Sequence, residues 1–275
     1  MVERIRPLVR ADLAVVRAIT DAAGLTGAAD NISRYLAWQP DGYRVLERDG
    51  VVVACVGAVR FGRTAFVGAM AVLPSEQRRG YGRRALERLL TELDHEGMET
   101  ILLEATDAGT PLYRQLGFVV DHETYAYRLE SPRAHGDPLP GIPTDALDEV
   151  VAFDASHFGA VRRDLLVGMW REHPERSAVV RRGGRVVAYG MCTRTRLGPV
   201  VAEAREDAER LMDTLLLLPR DPLMAAHAPL PNEHAHALLT TRGFHQVRRL
   251  RRMRRGGHPL GNPGAIYTLV NAATG

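Results

Sequence analysis

Apolar positions along the first half of the chain change period several times, and each change predicts an element. Leu8, Leu13, Val16 and Ile19 fall on one helical face within residues 8 to 23. Gly24-Leu25-Thr26-Gly27 breaks that face, and Ile32 to Trp38 offers a second short helix. After the turn Pro40-Asp41-Gly42 come three strand-like runs, Tyr43 to Glu47, Val51 to Val59 and Ala65 to Leu73. Asp49-Gly50 stands where a hairpin turn joins the first two, so an antiparallel meander is expected. Leu86, Leu89, Leu90 and Leu93 restore a helical stripe that ends near Glu96-Gly97, and Thr100 to Ala105 reads as a strand. Thr110-Pro111 then opens a helix through Leu116, Gly117-Phe118 closes it, and Val119 to Leu129 reads as the last strand of a first domain.

The pattern then begins again. Residues 130 to 143 carry four prolines and two glycines with little apolar content, as a linker does. Beyond them Arg182-Gly183-Gly184-Arg185-Val186-Val187-Ala188-Tyr189 echoes Arg48 to Cys55. Ala208, Leu211, Met212 and Leu215 repeat the amphipathic stripe, and Arg242-Gly243-Phe244 echoes Leu116-Gly117-Phe118. The expected organisation is a first domain over 1–131, a linker over 132–143, and a degenerate copy over 144–275. The fold class is α/β (α+β), two tandem domains, each a mixed, mostly antiparallel sheet flanked by helices.

The segment between the third strand and the long helix, Gln77-Arg78-Arg79-Gly80-Tyr81-Gly82-Arg83, is the chemically informative stretch. Two glycines let the backbone turn sharply and approach a ligand, while successive N–H groups and the positive end of a helix attract phosphate oxygens. Arg78 and Arg79 add forked cationic donors. The second half carries Ala202-Glu203-Ala204-Arg205-Glu206-Asp207 at the matching place. Without glycine, and with carboxylates where phosphate would sit, that turn is expected to repel the same ligand.

Composition removes several classes of function. All 36 basic residues are arginine and the net charge is only +3, so no lysine-dependent phosphate loop or Schiff base is available. Cys55 and Cys192 lie singly in apolar runs, which argues against a disulfide framework or a zinc site and for buried, inert thiols. No apolar run approaches the roughly 20 residues that span a bilayer, and Met1-Val2-Glu3-Arg4 opens no signal peptide, so a cytoplasmic protein without membrane association is expected. The basic run Arg248 to Arg255 reads as a solvated strand face, and nucleic acid is not an expected partner.

Gln77-x-x-Gly80-x-Gly82 after a strand, followed by Leu112-Tyr113-Arg114-Gln115-Leu116-Gly117-Phe118, closely resembles the GNAT-family N-acetyltransferases over residues 1 to 130. The second half resembles a degenerate copy of that fold, as in tandem members. The resemblance implies acetyl-CoA as cosubstrate, with its pyrophosphate on the amides of residues 78 to 83 and its pantetheine arm along Met70-Ala71-Val72. It implies direct acetyl transfer to a neutral primary amine, on a small molecule or a protein N-terminus, with no metal. Glu104 is placed like the base of one branch of the family, Tyr113 matches the general acid of relatives, and a backbone N–H near Ala71 and Val72 is the family-like oxyanion donor. Relatives carry a further polar CoA contact where this chain has the short Thr106-Asp107-Ala108-Gly109.

Other readings use the same residues. Gly80-Tyr81-Gly82-Arg83-Arg84-Ala85 also fits the G-x-G-x-x-A of a dinucleotide-binding oxidoreductase, with Glu104 near the place of its ribose carboxylate. The intervening Pro74 to Arg79 and the antiparallel meander speak against it. A noncatalytic acyl-CoA-binding or regulatory protein is the remaining alternative. For the second half, the open roles are walling the acceptor site and forming a homodimer contact. Acceptor specificity is expected from Gly24 to Trp38, from the hairpin around Phe61-Gly62-Arg63, and from the second half.

Overall fold

The computed structural model describes residues 2–25, 27–258 and 261–275. Thr26, part of the expected helix break, lies outside them. In chain order the first half contains β1 (Glu3–Pro7), α1 (Leu13–Ala22), α2 (Ala28–Tyr35), β2 (Tyr43–Arg48), β3 (Val51–Phe61), β4 (Thr64–Val72), α3 (Tyr81–His95), β5 (Thr100–Ala105), α4 (Thr110–Gln115) and β6 (Val119–Leu129). The second contains α5 (Leu147–Phe158), α6 (Arg163–Glu172), β7 (Ser177–Arg182), β8 (Arg185–Cys192), β9 (Leu197–Ala202), α7 (Arg205–Leu216), β10 (Ala225–Pro229), α8 (Glu233–Thr241), β11 (Phe244–Gly256) and β12 (Ile266–Thr268). Short 3₁₀ turns join several of them.

Local chemistry accounts for the boundaries. Asp49 and Gly50 have φ of 49° and 82°, and Gly183 and Gly184 have φ of 59° and 83°. Both hairpins therefore turn through two left-handed residues, the geometry that matches strand twist. The long helix α3 ends in a paired-bond cap, with the Gly97 N–H on the Asp94 carbonyl and the Met98 N–H on that of Leu93. The same motif ends α4, where Gly117 donates to Arg114 and Phe118 to Tyr113. α2 starts earlier than its apolar spacing predicts, because left-handed Gly27 lets the chain enter the helix there.

The two sheets do not follow the two halves of the sequence. One has four strands in the order β12-β9-β8-β7; the other has eight, β1-β2-β3-β4-β5-β11-β6-β10. The strand containing the basic run, expected as an element of the second half, is β11, and it lies between β5 and β6 of the first. It pairs antiparallel with both, Arg252 facing Glu104 on one side and Leu250 facing Thr124 on the other. Reciprocally, β6 separates β11 from β10. Each half thus lends a strand to the other about the β6–β11 pair.

Side-chain packing locks this exchange. α3 buries Ala85, Leu86, Leu89 and Leu93 against Val53, Val56 and Leu103 of the large sheet, and Met253 of β11 belongs to the same cluster. On the other face, a single core joins Ile19 and Tyr35 of the first half to Phe153, Leu165 and Val179 of the second. Residues 130–143 run without helix or strand between the halves, largely exposed, with Ile142 buried in that shared core.

Removal of the second half leaves β5 and β6 each with an exposed edge where β11 belongs. A fragment spanning residues 1–131 is expected to aggregate or to lack a cooperative unfolding transition by circular dichroism, and coexpression with residues 132–275 is expected to recover it. A monodisperse, cooperatively folded 1–131 fragment would contradict the role given to β11.

Candidate functional site

The site begins where β4 and β5 part. Their parallel pairing runs from Thr64 and Thr100 to Val67 and Leu103 and goes no further. Just beyond, Ala69 adopts φ of 53°, and the register between β3 and β4 slips between Cys55 and Gly57. A non-glycine residue in the left-handed region costs about 1 kcal/mol or more, and here it accompanies a bulge that turns β4 away from β5. The Cys55 thiol donates to the Ala69 carbonyl at 3.3 Å. Past the bulge, Ala71 and Val72 pair only toward β3, so the edge facing β5 is open to an extended ligand.

At the end of that edge lies the loop from Gln77 to Arg83. The Gln77 side chain ties back to the Val72 carbonyl at 3.2 Å. Arg78 and Gly80 have φ of 62° and 82°, and α3 starts at Tyr81. The Gln77 N–H meets the Pro74 carbonyl and the Arg84 N–H that of Gly80; between them, the N–H groups of residues 78–83 meet none among the described residues. A Cβ on Gly82 would stand 3.2 Å from Val72 Cγ2, so glycine keeps the gap between loop and strand clear. Unsatisfied N–H groups, a helix N-terminus and exposed Arg78 and Arg79 together make an anion cradle. Tyr81 is buried beneath it, and Arg83 is turned to Glu87 and Gln115.

The second half has no such cradle. α7 is entered from extended Ala204, Glu206 and Asp207 fill its first turn, Glu203 pairs with Arg185 and Asp207 with Arg182. Its carboxylates serve its own arginines.

Glu104 and Tyr113 flank the parting of the strands. The Glu104 side chain is inaccessible to solvent; Oε1 accepts from Arg252 Nε at 2.7 Å and from Thr124 Oγ1 at 3.1 Å, while Oε2 has no partner among the described residues. Burial raises the carboxyl above its ordinary value, and the charge and hydrogen bonds of Arg252 and Thr124 act in the opposite direction. Tyr113 packs edge-on against Phe118 and its hydroxyl lies 3.7 Å from Met70 Sδ. Burial pushes the phenol up to about 12, so it keeps its proton at neutral pH. Cys55 is likewise pushed to about 12 by burial, which denies it a thiolate.

Both residues line a cavity of about 1000 Å³ that also receives Gly68, Ala69 and Met70. Its remaining wall comes from both halves. Gly24, Leu25 and residues of α2 contribute, and so do Arg196, His227, Arg248 and the segment Asn271 to Ala273. Asn271 Nδ2 donates to the Tyr35 hydroxyl at 2.9 Å, and Ala273 packs where a Cβ on Gly68 would be. The Phe61-Gly62-Arg63 hairpin is not part of this wall; Phe61 packs on Phe158 instead. Sequence spacing also missed Arg252 and Thr124, since Arg252 lies 148 positions from the carboxylate it holds. Among the described residues no cluster of three or more His, Cys, Asp or Glu is arranged to hold a metal, and no helix is long and apolar enough to cross a membrane.

The basic run of β11 is mostly neutralised by its neighbours. Arg249 pairs with Glu123, Arg251 with Asp107, Arg252 with Glu104, Arg254 with Asp121 and Arg255 with Asp94, so it offers no continuous cationic stripe.

Comparison with known proteins points to one family. A model of the acetyltransferase (GNAT) family matches residues 16–118, and a model of an acetyltransferase (GNAT) domain matches residues 150–268. The chain is 27% identical over 207 residues to an uncharacterized N-acetyltransferase, YitH, of Bacillus subtilis, covering 72% of each. It is 25% identical over 235 residues to the holothin acyltransferase of a Pseudoalteromonas species, covering 81% of this chain and 78% of that one. A structure named for an acetyltransferase of Pyrococcus horikoshii superimposes with a TM-score of 0.87 at 25% identity, over 99% of this chain and 96% of that one. A GCN5-related N-acetyltransferase of Sphaerobacter thermophilus shares the fold, with a TM-score of 0.67 at 17% identity over 99% and 98%.

Replacing Arg252 by Met leaves the Glu104 carboxylate buried without its counter-charge, and stability is expected to fall by about 3 kcal/mol in denaturant unfolding. Adding Glu104→Gln to that variant is expected to recover part of the loss. Strictly additive losses would show that the pair is not coupled.

Proposed function

The chain belongs to the GNAT acetyltransferase family and is an acyltransferase enzyme, and we propose that its first half takes acetyl-CoA and passes the acetyl group directly to a primary amine. The observation that carries this reading is the opening between β4 and β5, with an anion cradle at one end and Glu104 and Tyr113 at the other. The cradle suits a pyrophosphate and the open edge of Met70–Val72 an extended amide arm; the bound thioester supplies the activated acetyl group. We read the chain as two GNAT units that exchange strands β6 and β11, one of them with a working cosubstrate site.

In this reading Glu104 takes the proton of the incoming ammonium, directly or through water, with the unpartnered Oε2 as its receiving atom. The neutral amine nitrogen forms a bond to the acetyl carbon as the carbon–sulfur bond breaks. A backbone N–H near Ala71 and Val72 meets the charge developing on the carbonyl oxygen. The protonated Tyr113 gives its proton, or a hydrogen bond, to the departing thiolate. Buried, protonated Cys55 takes no covalent part. The cavity is concave and large enough for a small-molecule amine, and its open mouth also admits a protein N-terminus.

The test is release of free CoA from acetyl-CoA against a panel of small primary amines. Glu104→Gln is expected to lower kcat/KM by about 10²-fold or more and Tyr113→Phe by a smaller factor. Because Glu104 must be ionised to accept a proton and its pKa is raised, kcat/KM should rise as pH rises through that value. The ascending limb should vanish in Glu104→Gln. Unchanged rates and an unchanged pH profile in that variant would remove Glu104 from the reaction.

A further inference from the structure

The cavity continues away from Glu104 to an end built by β6, β10, β11 and the turn between β8 and β9. On the ladders there, Arg248 stands opposite Ala126, and Ala126 opposite His227. Arg128 stands opposite Ala225, which also bridges to Arg196. Residues directly opposed across a ladder share a sheet face. Arg128, Arg196, Arg248 and His227 therefore project on one side, and all four line the cavity.

These cations differ from the others on the same wall. Arg17 is paired with Asp30, Arg34 with Glu172 and Arg194 with Asp221. Arg128, Arg196 and Arg248 meet no carboxylate among the described residues. Arg196 Nη1 donates to His227 Nδ1 at 2.9 Å. A guanidinium has no acceptor, so Nδ1 must accept, and the ring carries its proton on Nε2. Burial, together with the charges of Arg196 and Arg248, holds His227 well below its ordinary value, so the ring is neutral near pH 7. It orients Arg196 without offsetting its charge. Arg128 and Arg248 stay exposed, whereas Arg196 is half-buried; a partly desolvated guanidinium with no counter-ion is costly, and an incoming anion relieves that cost.

We propose that this basic end binds an anionic group, a carboxylate or a phosphate, carried by the acceptor, so that the acceptor class is an amine with an anion at its far end. The assignment of the amine end rests on the reading under Proposed function; the anion end stands on the cluster itself. Glu104 and His227 are three strands apart and also displaced along them, about 20 Å between backbones. A fitting acceptor is therefore elongated, with its amine and its anion several bonds apart.

The experiment is calorimetric titration of the whole chain, with and without saturating CoA, by ω-amino acids from 4-aminobutanoate to 8-aminooctanoate. Their primary amides and the matching ω-aminoalkylphosphonates form the comparison arms. The better anionic series is expected to bind at least tenfold more tightly than the amides, with an optimum at the longer chains. That preference should fall to near unity in Arg196→Gln combined with Arg248→Gln, and Arg196→Lys should keep part of it. Thermal unfolding of each variant serves as the check on folding. Tighter phosphonates assign a phosphate-bearing acceptor and tighter carboxylates a carboxylate-bearing one. Amides that bind as tightly as the anions, a preference that survives the double substitution, or no binding by any anionic amine would overturn the proposal. Because the readout is binding, a preference without acetyl transfer refutes only the catalytic reading, and transfer to acids and amides at equal rates refutes only this one.

Discussion

The structure depends on the pairing of β11 with β5 and β6. A strand from the end of the chain fills a gap that the first half cannot close for itself, and β6 returns the favour beside β10. Backbone groups left unpaired at those edges would be an aggregation hazard, so the exchange is as much a requirement of solubility as of shape. It also sets the chemistry. β11 carries Arg252 to Glu104, turning a carboxylate with no solvent access into one held in place with a single oxygen to spare. The carboxylate of the first half is thereby held by an arginine of the second.

The second half has given up its own cradle. Where the first half leaves N–H groups free above left-handed Arg78 and Gly80, the second offers Glu206 and Asp207 in an ordinary helix entry. What it supplies instead is wall. Tyr35 and the bulged end of β4 face Asn271, Ala273, Arg196 and His227 across one cavity. In the proposed reading the two copies divide the labour, the first taking the donor and both walling the cavity offered to an acceptor.

Much of this was legible in the sequence wherever local chemistry decides structure. β5 and β6 begin and end where their apolar runs do, and the Asp49-Gly50 and Gly183-Gly184 turns announced their hairpins. The loop Gln77 to Arg83 could be read because its glycines answer to local backbone geometry. β1 was not readable: Glu-Arg-Ile-Arg-Pro is charged and proline-ended, as befits an edge strand, and lacks an apolar rhythm. The strand exchange was invisible for a different reason. Hydrophobic period tells which face of β11 is buried and says nothing about which sheet receives it, so Arg252 beside Glu104 could not be inferred from spacing. The basic cluster at the far end of the cavity was hidden likewise, because Arg128, Arg196 and Arg248 meet only through the ladder.

The central claim is that one donor site operates in this chain, and that it lies in the first half. Calorimetric titration of the whole protein with acetyl-CoA, alongside Gly82→Trp, tests it most directly, because an indole at that position would occupy the gap between the loop and Val72. The account predicts one equivalent bound per chain and loss of binding in the variant with its folding intact. Two equivalents, or binding that survives the substitution, would contradict it.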